Sequence, residues 1–212
     1  GLFRDDYNEV FLAGRAYFAD CDPPLRTMEV HYDPYFFPGF VCLSPHPGYG
    51  DVVNVGIGYQ MSAYVRAKED VEALTRKFIE TSPFGEKLRK ARQISDWMGW
   101  RVPGAGQIGK TYAAGAMLIG DAGSFVDPFI LEGIANSVRS GGFAVQTALE
   151  ALAKGDFSES FLSVYQERWT AKMKPRIDAL QQMALVARNA EMLNATFHSL
   201  KANPGALKKM FG

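Results

Sequence analysis

The chain has 212 residues, with 23 basic and 23 acidic side chains and a formal net charge of zero, and no basic stripe interleaves with aromatics, which argues against nucleic acid as a partner. Two cysteines, Cys21 and Cys42, form no C-x-x-C pair and the three histidines, His31, His46 and His198, are dispersed, so no metal site is predicted and a reducing compartment fits. No apolar run reaches the length of a membrane span and no signal-peptide pattern opens the chain, which makes the cytoplasm the expected location.

In chain order, residues 7–20 mix aromatic and β-branched side chains in rough alternation and predict a strand, broken by Cys21-Asp22-Pro23-Pro24. Residues 28–32 predict a second strand with Glu29 and His31 on one face and Val30 on the other; His31 reads as a half-exposed strand residue rather than a catalyst. Residues 40–44 and 52–59 predict two more strands around the turn-rich HPGYGD segment. The paired glycines Gly56 and Gly58 either let a flat ring or chain approach the backbone or mark a bulge in a twisted sheet. Residues 67–81 are amphipathic, with Val71, Leu74, Phe78 and Ile79 on one face, and predict a helix that Ser82-Pro83 ends. A short helix over 84–92 and a strand over 93–102 follow, with Trp97 and Trp100 as packing residues.

Residues 104–111, GAGQIGKT, satisfy the P-loop pattern and, through Gly104, Gly106 and Gly109, the pattern G-x-G-x-x-G. Both need a helix directly after the glycines, because the phosphates bind its N-terminus. Only about five residues precede the next apolar run, too few for a helix and a return to the sheet, so the match is a decoy and Lys110 a loop lysine. Ala116, Met117, Leu118 and Ile119 predict a buried strand that Gly120 and Asp121 end; a loop with Pro128 leads to Glu132 and Gly133, where a helical pattern starts. A carboxylate there, beside free N–H groups of a helix start, can receive hydroxyls and electron-rich oxygens; an ordinary strand-turn-helix with a capping Asp is the alternative. The helix runs over 134–154, and Gly141 and Gly142 in its middle, each costing about 1 kcal/mol relative to alanine, point to close packing. Residues 157–194 predict a long helical region that Pro175 kinks or divides, and the tail, 193–211 with Lys201, Lys208 and Lys209, a packing helix or a membrane-surface contact.

The order of apolar strand, Gly120-Asp121-Ala122, Pro128 and Gly133-Ile134 resembles the second dinucleotide-binding motif of FAD enzymes with the aromatic-hydroxylase fold. Within that superfamily the chain looks most like the geranylgeranyl reductases, which hydrogenate isoprenoid double bonds. The resemblance implies a cofactor-binding set of Gly120, Asp121, Pro128, Gly133 and Ile134. Asp121 takes the ribityl chain of FAD, Pro128 lines the ring, and Gly133 and Ile134 turn N–H groups toward the pyrimidine end, where a helix dipole favours the anionic reduced flavin. The same enzymes carry an aromatic-x-Trp-x-Phe-Pro strand and then Asn-Val-Gly-x-Gly, both lining the substrate tunnel. Phe40, Cys42, Ser44 and Pro45 stand in the first and Gly56 and Gly58 in the second, so these six are the implied substrate-binding residues. Cys42 replaces the tryptophan and Ser44 the phenylalanine, giving a smaller and more polar lining.

The expected fold is α+β: an antiparallel substrate sheet with flanking helices over 1–103, the closing strand and helix of an FAD-binding domain over 104–156, and a C-terminal helical region over 157–212. By the resemblance, NADPH or another reductant reduces the flavin, which passes hydride to a prenyl or other apolar small molecule in lipid or chlorophyll biosynthesis, with peripheral membrane contact an option. The strand, G-x-G-x-x-G turn and helix that hold the adenosine pyrophosphate are expected in a missing N-terminal half, so that the 212 residues form an inactive C-terminal fragment. No residue is assigned as proton donor. A flavin monooxygenase or halogenase on the same fold is the enzymatic rival, although residues 40–45 lack the Trp-x-Trp-x-Ile-Pro strand of halogenases. A non-catalytic lipid- or protein-binding module is the third reading.

Overall fold

A computed structural model describes residues 10–46, 48–104, 108–203 and 205. The expectations for residues 7–9, for Gly106 and for Lys208 and Lys209 fall outside them. The fold is α+β: a six-stranded antiparallel sheet, a two-stranded hairpin and a set of C-terminal helices. The sheet runs in the order β2 (Glu29–His31), β3 (Gly39–Pro45), β4 (Val53–Gln60), β1 (Val10–Ala19). The far edge of β1 is shared by two short strands, β5 (Arg92–Gln93) and β6 (Met98–Pro103).

The single strand predicted over 93–102 is therefore two. Ile94 N–H still donates to the Tyr17 carbonyl (2.8 Å), but Tyr17 N–H donates to the side-chain Oγ of Ser95 (2.9 Å) instead of to a strand partner, and the chain detours before β6. The detour separates the tryptophans. Trp97 packs edge-on to Phe18 at 6.5 Å, whereas Trp100, expected to pack, is 81% exposed, because its neighbour across the ladder is Ala13 on the open face of the sheet.

One face of the sheet is covered by helices; the other is open around Arg15, Gly56 and Trp100 and is covered near Phe11 and Gly58 by the loop that carries Pro128 and Leu131 and by the end of the longest helix. Ala16, Phe18, Val41, Leu43, Val53, Val55, Ile57 and Tyr59 point to the covered face and pack with Leu74, Phe78, Phe36 and Leu88. Burial of this continuous apolar set, at about 25 cal/mol per Å², is what holds the helices on the sheet. The helix predicted over 67–81 is α2 (Val71–Thr81), and a helix not expected from the sequence, α1 (Met61–Ala67), precedes it. Lys68 ends α1 in a left-handed conformation (φ 55°), and Asp70 restarts the chain by accepting from Ala73 N–H at 2.7 Å, an N-cap worth about 1 kcal/mol. In place of the short helix expected over 84–92 is a 3₁₀ turn, Pro83–Leu88, capped by Ser82.

After the glycine-rich run no helix forms. Residues 112–117 make the hairpin of β7 (Tyr112–Ala113) and β8 (Ala116–Met117), so the phosphate-loop geometry is absent. The strand expected over 116–119 pairs only at Ala116 and Met117; Leu118 N–H donates to the Thr111 carbonyl (2.8 Å) and Ile119 stays extended. Helices α3 (Ile134–Lys154), α4 (Glu159–Ala187) and α5 (Ala190–Ala202) follow. Pro175 does not divide α4: Met173 and Ile177, on either side of it, are buried in one cluster with Phe125, Tyr165 and Trp169. The break comes instead at Asn189, whose side chain accepts from Met192 N–H at 3.0 Å and caps α5. Among the described residues no helix is long and apolar enough to cross a membrane.

Candidate functional site

The Gly-Asp segment is a 3₁₀ turn, Gly120–Gly123, seated on the first turns of α3. Gly120 has φ 54° and lies so close to α3 that a Cβ there would meet Ser137 Oγ at 2.6 Å, so both backbone and packing demand glycine. Its N–H donates to the fully buried Ser140 (3.1 Å), and the Tyr165 hydroxyl donates to the Leu118 carbonyl (2.6 Å). The run leading to Asp121 is thus tied to α3 and to α4. Ser137 and Ser140 of α3 face this turn, but the close packing expected at the two helix glycines is not found: a Cβ at Gly141 would come no nearer than 3.9 Å to Ile119 Cδ1, and one at Gly142 would meet nothing within 4 Å.

Asp121 is exposed, and a Cβ at Gly133 would lie 2.9 Å from its Oδ1, so the carboxylate sits directly beside the start of α3, in space that a side chain at 133 would enter. Glu132 Oε1 accepts from Ala135 N–H (2.9 Å); among the described residues the N–H groups of Gly133 and Ile134 meet no acceptor. Ile134 itself is 80% exposed. An acceptor, two free donors and the positive end of a 21-residue helix therefore lie side by side, a set able to hold hydroxyls and electron-rich oxygens. A lone capping Asp does not describe it, because the side-chain bond to the first turn of α3 comes from Glu132 and no bond from α3 to Asp121 is seen among the described residues.

Between the turn and α3 the chain loops over the sheet. Asp127, 3% exposed, accepts from the N–H groups of Phe129 (2.8 Å) and Ile130 (3.1 Å) through one oxygen, and its own N–H donates to the Glu132 carbonyl (2.7 Å). Burial pushes its carboxyl above the usual range, outweighing those bonds and the attraction of Arg176. Burial, with Asp127 nearby, also pushes the Tyr32 phenol up to about 12. The loop buries Pro128 and brings it, with Tyr32, Phe40, Phe129 and Arg188, around a cavity of about 30 Å³, the scale of one water. It also lays Leu131 over the sheet: a Cβ at Gly58 would be 2.7 Å from Leu131 Cδ1 and 2.9 Å from Phe40 Cζ.

The predicted substrate residues divide by parity. Phe40, Cys42 and Ser44 of β3 lie opposite Gly58, Gly56 and Asn54 of β4 and share the open face of the sheet. The register is unbroken on both sides of β4, so the two glycines mark no bulge. Gly58 is the close approach to Leu131, whereas Gly56 has no contact tighter than 3.8 Å to a virtual Cβ and leaves bare backbone. Pro45 has the opposite parity, pairing with Val53 at the strand end, and is not brought to this face. Cys42 Sγ and Ser44 Oγ are hydrogen-bonded at 3.4 Å. Cys21, by contrast, is buried, with its thiol pushed up to about 11 by burial and by Asp51 and Asp20. Among the described residues no group of His, Cys, Asp or Glu could hold a metal ion.

Asn54, which opens the Asn-Val-Gly-x-Gly strand, lies on the open face too, and three residues that the sequence did not single out lie on it or adjoin it: Arg15, Asp127 and Leu131. Strand alternation could have flagged Arg15 as sharing the face of Gly56, its ladder partner. Nothing local marks Leu131, whose partner Gly58 lies in a different segment.

A scan against protein-family models finds no match. Among curated proteins, digeranylgeranylglycerophospholipid reductase 1 of Methanococcoides burtonii is 38% identical over 132 residues, 62% of this chain and 30% of the relative. The digeranylgeranylglycerophospholipid reductase of Methanosarcina mazei is 33% identical over 170 residues, 77% of this chain and 39% of the relative. The chain thus spans well under half the length of these curated relatives. Among solved structures, a geranylgeranyl bacteriochlorophyll reductase-like protein of Thermoplasma acidophilum superposes with a TM-score of 0.67 at 21% identity, over 97% of this chain and 55% of that one. The flavin-dependent brominase Bmp2 superposes with a TM-score of 0.71 at 16% identity, over 96% of this chain and 50% of that one. At such identities the likeness is one of fold.

Proposed function

We propose, from the premise that part of this chain is homologous to the geranylgeranyl reductase family, that it forms the substrate sheet and the closing flavin segment of an FAD-dependent reductase acting on isoprenoid carbon–carbon double bonds. The observation that carries this reading is the close approach of Leu131 to Gly58, because it joins the loop between Asp121 and Gly133 to the face that bears Cys42, Ser44 and Gly56. In this reading a ligand lying on that face has its reacting carbons turned toward the flavin at the Asp121 notch. The residues present fit the sugar-alcohol arm of FAD: an exposed carboxylate for its hydroxyls, and a notch that a Cβ at Gly133 would fill.

In this reading Asp121 accepts from the ribityl hydroxyls, Pro128 borders the ring, and Gly133 and Ile134 offer N–H groups to its pyrimidine oxygens. FAD, when bound and reduced by NADPH or another reductant, supplies the hydride. The chain's own residues orient the parts: the α3 dipole favours negative charge at the ring, and the close-set glycines and Phe40 shape the surface for an apolar chain. We divide the chain into the sheet (1–103), the flavin segment (104–156) and the helical region (157–212). No strand, G-x-G-x-x-G turn and helix stand together among the described residues, so the pyrophosphate site is assigned to a segment other than these.

Titrating the 212-residue chain with FAD tests that division. Binding weaker than micromolar is expected; a yellow protein of micromolar affinity would overturn it. With a pyrophosphate-binding segment supplied, anaerobic bleaching by NADPH, followed by reoxidation with a prenyl lipid and lost on Asp121→Ala, is the expected behaviour. Oxygen uptake coupled to an aromatic substrate would favour a monooxygenase instead.

A further inference from the structure

The open face of the sheet is graded. Across the strands, the row Met98–Arg15–Gly56–Cys42–Val30 runs through four ladders. Beside it on one side lies the row Trp100–Ala13–Gly58–Phe40, apolar throughout; on the other lie Tyr17, Asn54 and Ser44, which are polar. Arg15 is therefore a cation set at the boundary of the two. Its guanidinium lies 5.2 Å from the Tyr17 ring centroid and 4.0 Å from Met98 Sδ, and among the described residues it meets no carboxylate. Its neighbour Gly56 leaves the floor open, and Asn54 Oδ1 is buried without a hydrogen-bond partner among the described residues. An exposed cation held by soft contacts alone, beside bare backbone at Gly56, is free to pair with an anionic group.

From Arg15 to Val30 the row crosses three strand spacings, roughly 14 Å at about 4.8 Å each. It then meets a groove of about 640 Å³ at the β2 edge, lined by Val30, Tyr32, Phe84, Leu193 and Phe197 among others. An apolar chain anchored at Arg15 would thus pass over Gly56 and Cys42, alongside Phe40 and Leu131, and end in an aromatic trough.

We propose that Arg15 anchors the phosphate headgroup of an anionic prenyl amphiphile, whose tail runs along the Gly56–Cys42–Val30 row into the β2 groove. The proposal rests on the reductase reading and adds to it the direction of the substrate. To test it, the protein is titrated with farnesyl phosphate and with farnesol, below their micelle concentrations, following the fluorescence of Trp100 on the same face. Farnesyl phosphate is expected to bind about tenfold more tightly than farnesol, the scale of one charge-assisted hydrogen bond. Arg15→Gln should erase that difference while leaving farnesol binding in place, and Arg15→Lys should keep part of it. If farnesol binds but the preference for the phosphate survives in Arg15→Gln, the anchor is overturned and the apolar face stands. Displacement by inorganic phosphate at matched concentration would make Arg15 a bare anion site and overturn the amphiphile. If neither prenyl compound binds the parent protein, the prenyl reading fails and the anchor with it.

Discussion

Asp127 illustrates how much a single buried carboxylate can decide. Its folded pKa lies above its unfolded one, so between the two values the native state holds a proton that the unfolded chain has lost. Stability therefore falls as pH rises from the ordinary carboxylate range through the folded pKa. Both N–H donors use one oxygen, so Asp127→Asn can keep Phe129 and Ile130 bonded while removing the buried charge, at the loss of the Arg176 attraction. We expect this variant to melt above the parent at pH 7, with the gap shrinking as pH is lowered toward 4; thermal denaturation across that range checks it, and a constant gap would sink the burial account. At this scale the sequence was a partial guide. Asp121 and Gly133 were legible from the motif order, but the burial of Asp127 depends on the sheet and helices closing around it.

Among the elements, α4 departs furthest from the reading of its sequence. A proline inside a helix removes one hydrogen bond and crowds the preceding turn, which is why residues 157–194 read as a kinked or divided region. Of the two, the division does not occur: 29 residues run through Pro175 as one helix, because Leu162, Tyr165, Trp169, Met173, Ile177, Leu180 and Ala184 form a buried stripe on both sides of the proline. Pro175 itself is exposed, so Pro175→Ala should restore the bond without disturbing packing and raise stability by about 1–3 kcal/mol. Chemical denaturation measures this; an unchanged or lower stability would mean that the proline contributes through the unfolded chain. The loss of the predicted strand over 116–119 has a related cause. Its carbonyl at Leu118 is taken by Tyr165 of α4 rather than by another strand.

For the molecule as a whole, α3 is turned the unexpected way round. Its buried positions include Asn136, Ser140, Thr147 and Ala151, while Ile134, Val138, Val145, Leu149 and Leu152 are exposed. Such a stripe, long and apolar on the outside, marks a surface made to be covered by another body. Val138→Asp with Leu149→Asp should abolish any self-association seen by sedimentation and weaken binding of a hydrophobic dye, while shifting stability by only about 0.5 kcal/mol. Unaltered dye binding would show that the stripe is not the sticky surface.

By itself the sequence determined the main strands and long helices, the apolar face of the sheet strands and of α2, and the succession of glycine, aspartate, proline and glycine around the notch, because these follow from periodicities and turn chemistry within a few residues. The tertiary structure alone decided which sheet face stays open, that Leu131 meets Gly58, and that Arg15 and Trp100 point outward with Cys42. Those outcomes depend on which apolar surfaces find each other across segments distant in the chain, and burial, unlike periodicity, is not a local property.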